Sequence, residues 1–168
     1  LVVALAICFG IAPLVNKISD GKTTVVRMTS VLPQGSLITS INLDNCQKLQ
    51  TMSKHCFQNC AKLTTIGTGV LPESLTEMQQ GVFYGCVLLT GEISCNARLK
   101  MSNGEQFRKT GVTSVVFPNV YGSIGARFLE ENTVVTNIVL SKGVTSFGEK
   151  FAPSTKSNLI NFEPKEFP

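Results

Sequence analysis

The chain has 168 residues, a length that suits one domain, and 43% of them are hydrophobic, ample for a buried core. Only 15% are charged, the net charge is +4, and Lys and Arg are dispersed with no basic run, which argues against a nucleic-acid-binding protein. Thr, Ser, Asn, Gln and Gly must therefore cover the surface that charge leaves bare.

Leu1 to Val15, LVVALAICFGIAPLV, is apolar throughout. Such a run is shorter than the roughly 20 residues a helix needs to cross a bilayer. Three readings stand: the remnant of a secretory signal, a buried first coil that caps the fold, or a membrane anchor. Leu5-Ala6-Ile7-Cys8 hints at a lipid-attachment site, but Ile7 is too bulky for the position before the cysteine. Residues 16–36 are a transition, with turn signals at Ser19-Asp20-Gly21 and Pro33-Gln34-Gly35 and one short strand from Thr23 to Met28. Residues 1–36 thus read as an N-terminal apolar segment and cap, 37–162 as the main body, and 163–168 as a tail or linker.

The body repeats. Leu49-x-x-Met52 leads to Phe57-x-x-Cys60-x-x-Leu63, and Leu75-x-x-Met78 leads to Phe83-x-x-Cys86-x-x-Leu89. Phe57, Phe83, Phe107, Phe128 and Phe151 follow at intervals of 26, 24, 21 and 23 residues, within the roughly 20–50 residue range of solenoid repeats. An apolar-x-x-apolar tetrad appears about twice per repeat, as in Leu63/Ile66, Val112/Val115, Tyr121/Ile124, Val135/Ile138 and Val144/Phe147. The residues inside the tetrads are mostly Thr, Ser or another polar type, so they read as short strands. Stacking such coils buries edges that no single coil can bury, and each marked position becomes a column through the core. The five phenylalanines are accordingly expected to form one buried ladder. Asn45, Asn59 and Gly85 share a place before Cys46, Cys60 and Cys86, and read as turns with positive φ. Around 91–106 the pattern frays, although Phe107 keeps its place and Thr110 replaces the cysteine. Pro72, Pro118 and Pro164, spaced by 46 residues, are expected where strands leave the sheet.

The pattern L-T-x-I … P-x-S-L-T-x-M-x-x-x-x-F-x-x-C-x-x-L resembles the BspA-type leucine-rich repeat over about residues 37–162. The resemblance implies a mainly β, right-handed leucine-rich-repeat solenoid with few or no long helices. It also implies a non-enzymatic module of a secreted or cell-surface protein, engaged in adhesion and protein binding, and carries no catalytic residue to this chain.

No constellation in the sequence supplies chemistry. His55 with Cys56 and Cys60 lacks the second compact ligand pair of a zinc site, and His55 has no motif-borne nucleophile to serve. Cys46, Cys60 and Cys86 read as free thiols in one interior column, with a disulfide as the alternative in a secreted chain. Gly67-Thr68-Gly69 and the turn from Gly122 to Gly125 lack the strand–helix setting of a phosphate cradle. No cofactor, metal or small-molecule substrate is expected. The candidate binding face is the polar filling of the tetrads: Thr64, Thr65, Thr113, Ser114, Thr136 and Asn137 on the longer sheet, and Thr76, Glu77, Thr145 and Ser146 on the opposite side. A protein or glycan partner fits such a face, and Arg98, Lys100 and Asn103 form a local projection beside it. The rival reading is a structural spacer or assembly scaffold within a larger protein.

Overall fold

The computed structural model describes residues 15–19, 24–28, 37–44, 46–101, 103–153 and 161–164. Most of the apolar run 1–15, Cys8 and Asn45 lie outside the described residues, as do the side chains of residues 15–19, 24–28 and 161–164. Thirteen strands, and no helix among the described residues, wind into a β-solenoid of about five turns. One face of the solenoid carries β3 (Ser40–Ile41), β5 (Thr65–Ile66), β7 (Thr90–Ser94), β9 (Gly111–Phe117), β11 (Asn137–Leu140) and β13 (Asn161–Pro164). The other carries β1 (Val15–Ser19), β2 (Thr24–Met28), β4 (Leu49–Met52), β6 (Glu77–Met78), β8 (Lys100–Met101), β10 (Gly122–Ile124) and β12 (Val144–Phe147). Every pairing is parallel except that of β1 with β2.

Parallel pairing follows from the winding. Successive strands of one face are separated by a whole coil, so they run the same way, and the tetrads alternate between the two faces. The Thr90 amide donates to the Thr64 carbonyl (3.4 Å) and so joins β5 to β7. A parallel bridge between Lys100 and Tyr121 joins β8 to β10. The stretch 91–106, frayed as a pattern, is continuous as structure, since β7 and β8 both take their places in the sheets. Pro118 directly follows β9, and Pro164 ends β13.

A third side is built of turns. Backbone amides of His55, Phe57 and Asn59 donate to the carbonyls of Gln80, Val82 and Tyr84; those of Gly81, Phe83 and Gly85 donate to Gly104, Gln106 and Arg108. Glu105, Phe107 and Lys109 donate in turn to Ala126, Phe128 and Glu130, and Arg127 and Leu129 to Glu149 and Phe151. This ladder aligns the coils residue by residue. Positive φ recurs on it at His55, Gly81, Glu105, Arg127 and Lys150, and again at Asn59, Gly85, Lys109 and Glu131. The turn position read at Asn59 and Gly85 is the second of these.

The alignment corrects the single phenylalanine ladder. Phe57, Phe83 and Phe107 share one position and stack, with centroids 5.5 and 5.7 Å apart and planes 5° and 19° apart. In the next coil that position is held by Leu129, while Phe128 sits one residue earlier, in line with Cys56, Val82 and Gln106. Phe107 and Phe128 therefore meet edge-on at 85°, and Phe128 starts a second stack with Phe151 at 5.6 Å and 4°. Phe151 is only half-buried, at the last described coil. Both neighbouring positions are buried in the four coils from Cys56-Phe57 to Phe128-Leu129, so a large ring can occupy either one without leaving the core.

Two other expectations are corrected. Cys46 is half-buried and leads into β4 on the second face, whereas Cys60 and Cys86 lead toward β5 and β7 on the first; it is not in their column. In the Tyr121/Ile124 tetrad the buried partner of Ile124 is Val120, and Tyr121 turns outward. The remaining tetrad residues, apart from half-buried Phe147 that packs against them, form one continuous core with Leu43, Leu71, Phe117 and Leu140.

Candidate interaction faces

The first face places its outward side chains in register. Ser40 pairs with Thr65, and Glu92, Ser114 and Asn137 pair in succession across β7, β9 and β11. Asn137 Nδ2 donates to Ser114 Oγ (2.9 Å), and Ser114 Oγ donates to the Glu92 carboxylate (2.9 Å), so three coils are tied by one polar chain. Beside that column runs a second, of threonines. Thr64 Oγ1 donates to the Thr39 carbonyl (2.8 Å) and Thr136 Oγ1 to the Thr113 carbonyl (3.2 Å). These hydroxyls are turned back onto the previous coil. Thr65 is exposed, while Thr113, Ser114, Thr136 and Asn137 are half-exposed.

The second face holds Thr76, Glu77, Thr145 and Ser146. Thr76 Oγ1 donates to the Gln50 carbonyl (2.9 Å), the same inward turn as on the first face. Ser146 Oγ donates to Ser123 Oγ (2.9 Å) across β10 and β12. Glu77 lies between Thr51 and Lys100, and Gln79 donates to its carboxylate (3.3 Å). The ten candidate residues thus fall on two faces, six and four, and each set is divided between two sheets of its face.

Charge is concentrated on the turn side. Arg108 meets Glu105 (3.0 Å), Glu130 (2.9 Å) and Glu131, and its guanidinium lies 5.0 Å from the Tyr84 ring centroid. Arg127 and Lys150, from the same coil and the next, also approach Glu130, at 3.7 and 3.4 Å. Glu130 and Glu131 are therefore parts of a cross-coil ion-pair network. Asp44 is used similarly at a corner, where its carboxylate accepts from the Thr68 amide (3.2 Å) and hydroxyl (3.1 Å). A carboxylate thus occupies the Gly67-Thr68-Gly69 turn.

His55 is half-buried on its turn. Its ring lies over Gly81 of the next coil, where a Cβ would fall on Nδ1, and that nitrogen is buried with no hydrogen-bond partner among the described residues. Cys60 and Cys86 are buried free thiols, and Cys86 Sγ donates to the Phe57 carbonyl (3.0 Å). The hydrogen bond with Cys60, together with burial, holds the Cys86 thiol above the ordinary range, and burial pushes Cys56 up as well. Among the described residues no cluster of three or more His, Cys, Asp or Glu could hold a metal ion, and no helix is long and apolar enough to cross a membrane.

Sequence reasoning missed Asn132. It occupies the place of Cys60, Cys86 and Thr110 in its coil and is fully buried. Its Nδ2 donates to the Val112 carbonyl (2.9 Å) and to Thr110 Oγ1 (3.4 Å), while its Oδ1 accepts from the amides of Val134 (3.0 Å) and Val135 (2.9 Å). The signal was present in the spacing: Phe57–Cys60, Phe83–Cys86 and Phe107–Thr110 are three apart, and so are Leu129 and Asn132.

Neither curated proteins nor solved structures yield a match to the chain. The profile of the BspA type leucine rich repeat region does match, in 6 copies across residues 33–158. That span covers most of the chain and coincides with the stacked coils, so the protein belongs to the BspA-type leucine-rich repeat family.

Proposed function

We propose that the chain is a non-enzymatic protein-binding module of an exported, cell-surface or secreted protein, and that its first face makes the contact in adhesion. The observation that carries this reading is the register of Ser40 with Thr65, and of Glu92 with Ser114 and Asn137, in two parallel sheets along one face. Extended faces of stacked repeats are suited to binding. A flat array of hydroxyls and amides offers many modest hydrogen bonds and little apolar area, so affinity per site is low and repeated display supplies the rest. The apolar run from Leu1 to Val15 supports export.

The spacer reading has its own observation, because Thr64, Thr76 and Thr136 direct their hydroxyls to the coil beneath rather than outward. One experiment separates the two. The chain is presented on beads to a panel of purified extracellular proteins and glycans, as the native sequence, as Thr65→Arg/Ser114→Arg on the first face, and as Thr76→Arg/Thr145→Arg on the second. Binding by the native chain that the first-face pair abolishes supports the module. Folded variants that bind no differently from the native chain favour the spacer.

A further inference from the structure

We propose that Arg98, Lys100 and Tyr121 form a subsite on the second face for an extended, acidic stretch of polypeptide. This deepens the reading of the chain as an interaction module and rests on it. Leu99 is buried while Arg98 and Lys100 are exposed, so the two cations leave the same side of the chain. At ordinary strand rise they stand about 6.6 Å apart. Tyr121 is the parallel-bridge partner of Lys100 in the next coil, and the Arg98 guanidinium carbon lies 4.4 Å from the centroid of its ring. That stacking orients a planar cation while its outer N–H groups stay in solvent.

Unpaired charge beside an aromatic ring is what sets these residues apart. Among the described residues neither Arg98 nor Lys100 forms an ion pair, whereas Arg108, Arg127 and Lys150 on the turn side all meet carboxylates. Glu77, the strand partner of Lys100, is half-buried and already engaged. Two outward cations one i,i+2 step apart match two carboxylates one i,i+2 step apart on an extended partner lying along the strand direction. The Tyr121 ring holds the Arg98 guanidinium in place, and the exposed Ser123 beside it adds a hydroxyl group.

The test selects a displayed library of random peptides against the full chain at low and at physiological salt. The expected result is enrichment of Asp-x-Asp or Glu-x-Glu sequences whose synthetic peptides bind at least tenfold more weakly to Arg98→Glu/Lys100→Glu. Tyr121→Ala should weaken them by a smaller factor, and the control Lys54→Glu/Lys62→Glu, an equal change of charge at two exposed sites, should leave them unchanged. Enrichment of uncharged sequences, or acidic peptides indifferent to the double variant, overturns the subsite and leaves the interaction module standing. Equal weakening by the Lys54→Glu/Lys62→Glu control reduces the effect to net charge and also overturns the subsite. Binding of a sulfated polysaccharide that depends on Arg98 and Lys100, with no acidic peptide selected, replaces the proposed occupant. A library that yields no binder at all counts against both the subsite and the module.

Discussion

Single residues hold the coils together where backbones come closest. Gly125 and Gly148 share the place before the turn ladder, and a Cβ at Gly125 would fall on the backbone of Asn103 and Gly104, one at Gly148 on that of Gly125 and Ala126. Backbone cannot rotate aside as a side chain can. Gly125→Ala is therefore expected to cost about 1–3 kcal/mol or more, in the manner of an overpacked core, which a urea midpoint with an unchanged slope would register. Phe83 is fully buried and stacked on both sides, and Phe83→Ala is expected to lose roughly 3–5 kcal/mol. Half-buried Phe151 should lose less than Phe83 on the same substitution, and equal losses would contradict the split into two stacks. The thiols of Cys56 and Cys86 titrate above their unfolded values. Their contribution is fully present below about pH 8.5, where the unfolded thiol is still protonated. It declines as pH rises, because the unfolded chain then releases protons that the folded chain keeps. Denaturation followed from pH 7 to 10 should show stability falling by at most about 1.4 kcal/mol per pH unit for each thiol, with a smaller slope in Cys56→Ala.

At the scale of the element, each strand is too short to stand alone, and neighbouring coils supply its hydrogen bonds. The two polar residues inside a tetrad share this work unequally. The first of them at Thr64, Thr76 and Thr136 bonds the previous coil through its hydroxyl, while Thr65 points to solvent. Thr64→Val is expected to cost about 0.5–1.5 kcal/mol through the lost hydrogen bond. Thr65→Val should stay within about 0.5 kcal/mol, as at an ordinary surface site. Thermal or urea denaturation of the two variants checks this directly, and equal costs would deny the division of labour. The tetrads were legible as two apolar residues enclosing two polar ones, a spacing that the buried ends and less buried middle of Leu49–Met52 reproduce. Tyr121 escaped this logic since Val120 precedes it, and an irregularity between Gly122 and Ser123 shifts the pairing by a residue.

The whole molecule is a column of coils in which each touches only its neighbours, so its stability is close to a sum of coil and contact terms. Coils with neighbours on both sides gain two contacts each. In hydrogen exchange the amides of Phe83, Phe107 and Val115 are expected to be the slowest, and those of Ile41 and Phe147 faster by an order of magnitude or more, on the usual gradient of local opening. Uniform protection from Ile41 to Phe147 would indicate one all-or-none unit instead. The cross-coil network of Arg108 and Glu130 lies within the central region and couples coils that the core already joins.

By itself the sequence determined the repeat, the two strand faces, the inward tetrads and the turn shared by Asn59 and Gly85. Each of these depends only on what one coil must do: turn its apolar side in, its polar side out, and close on itself. How one coil sits on the next was decided by tertiary structure. Cross-coil hydrogen bonds set the alignment, and they place Leu129 rather than Phe128 over Phe107, Asn132 over Thr110, and Cys46 apart from Cys60. The fray at 91–106 closed for the same reason. Sheet pairing is made by backbone groups that every residue but proline carries, so a coil can lose its side-chain pattern and keep its place in the stack.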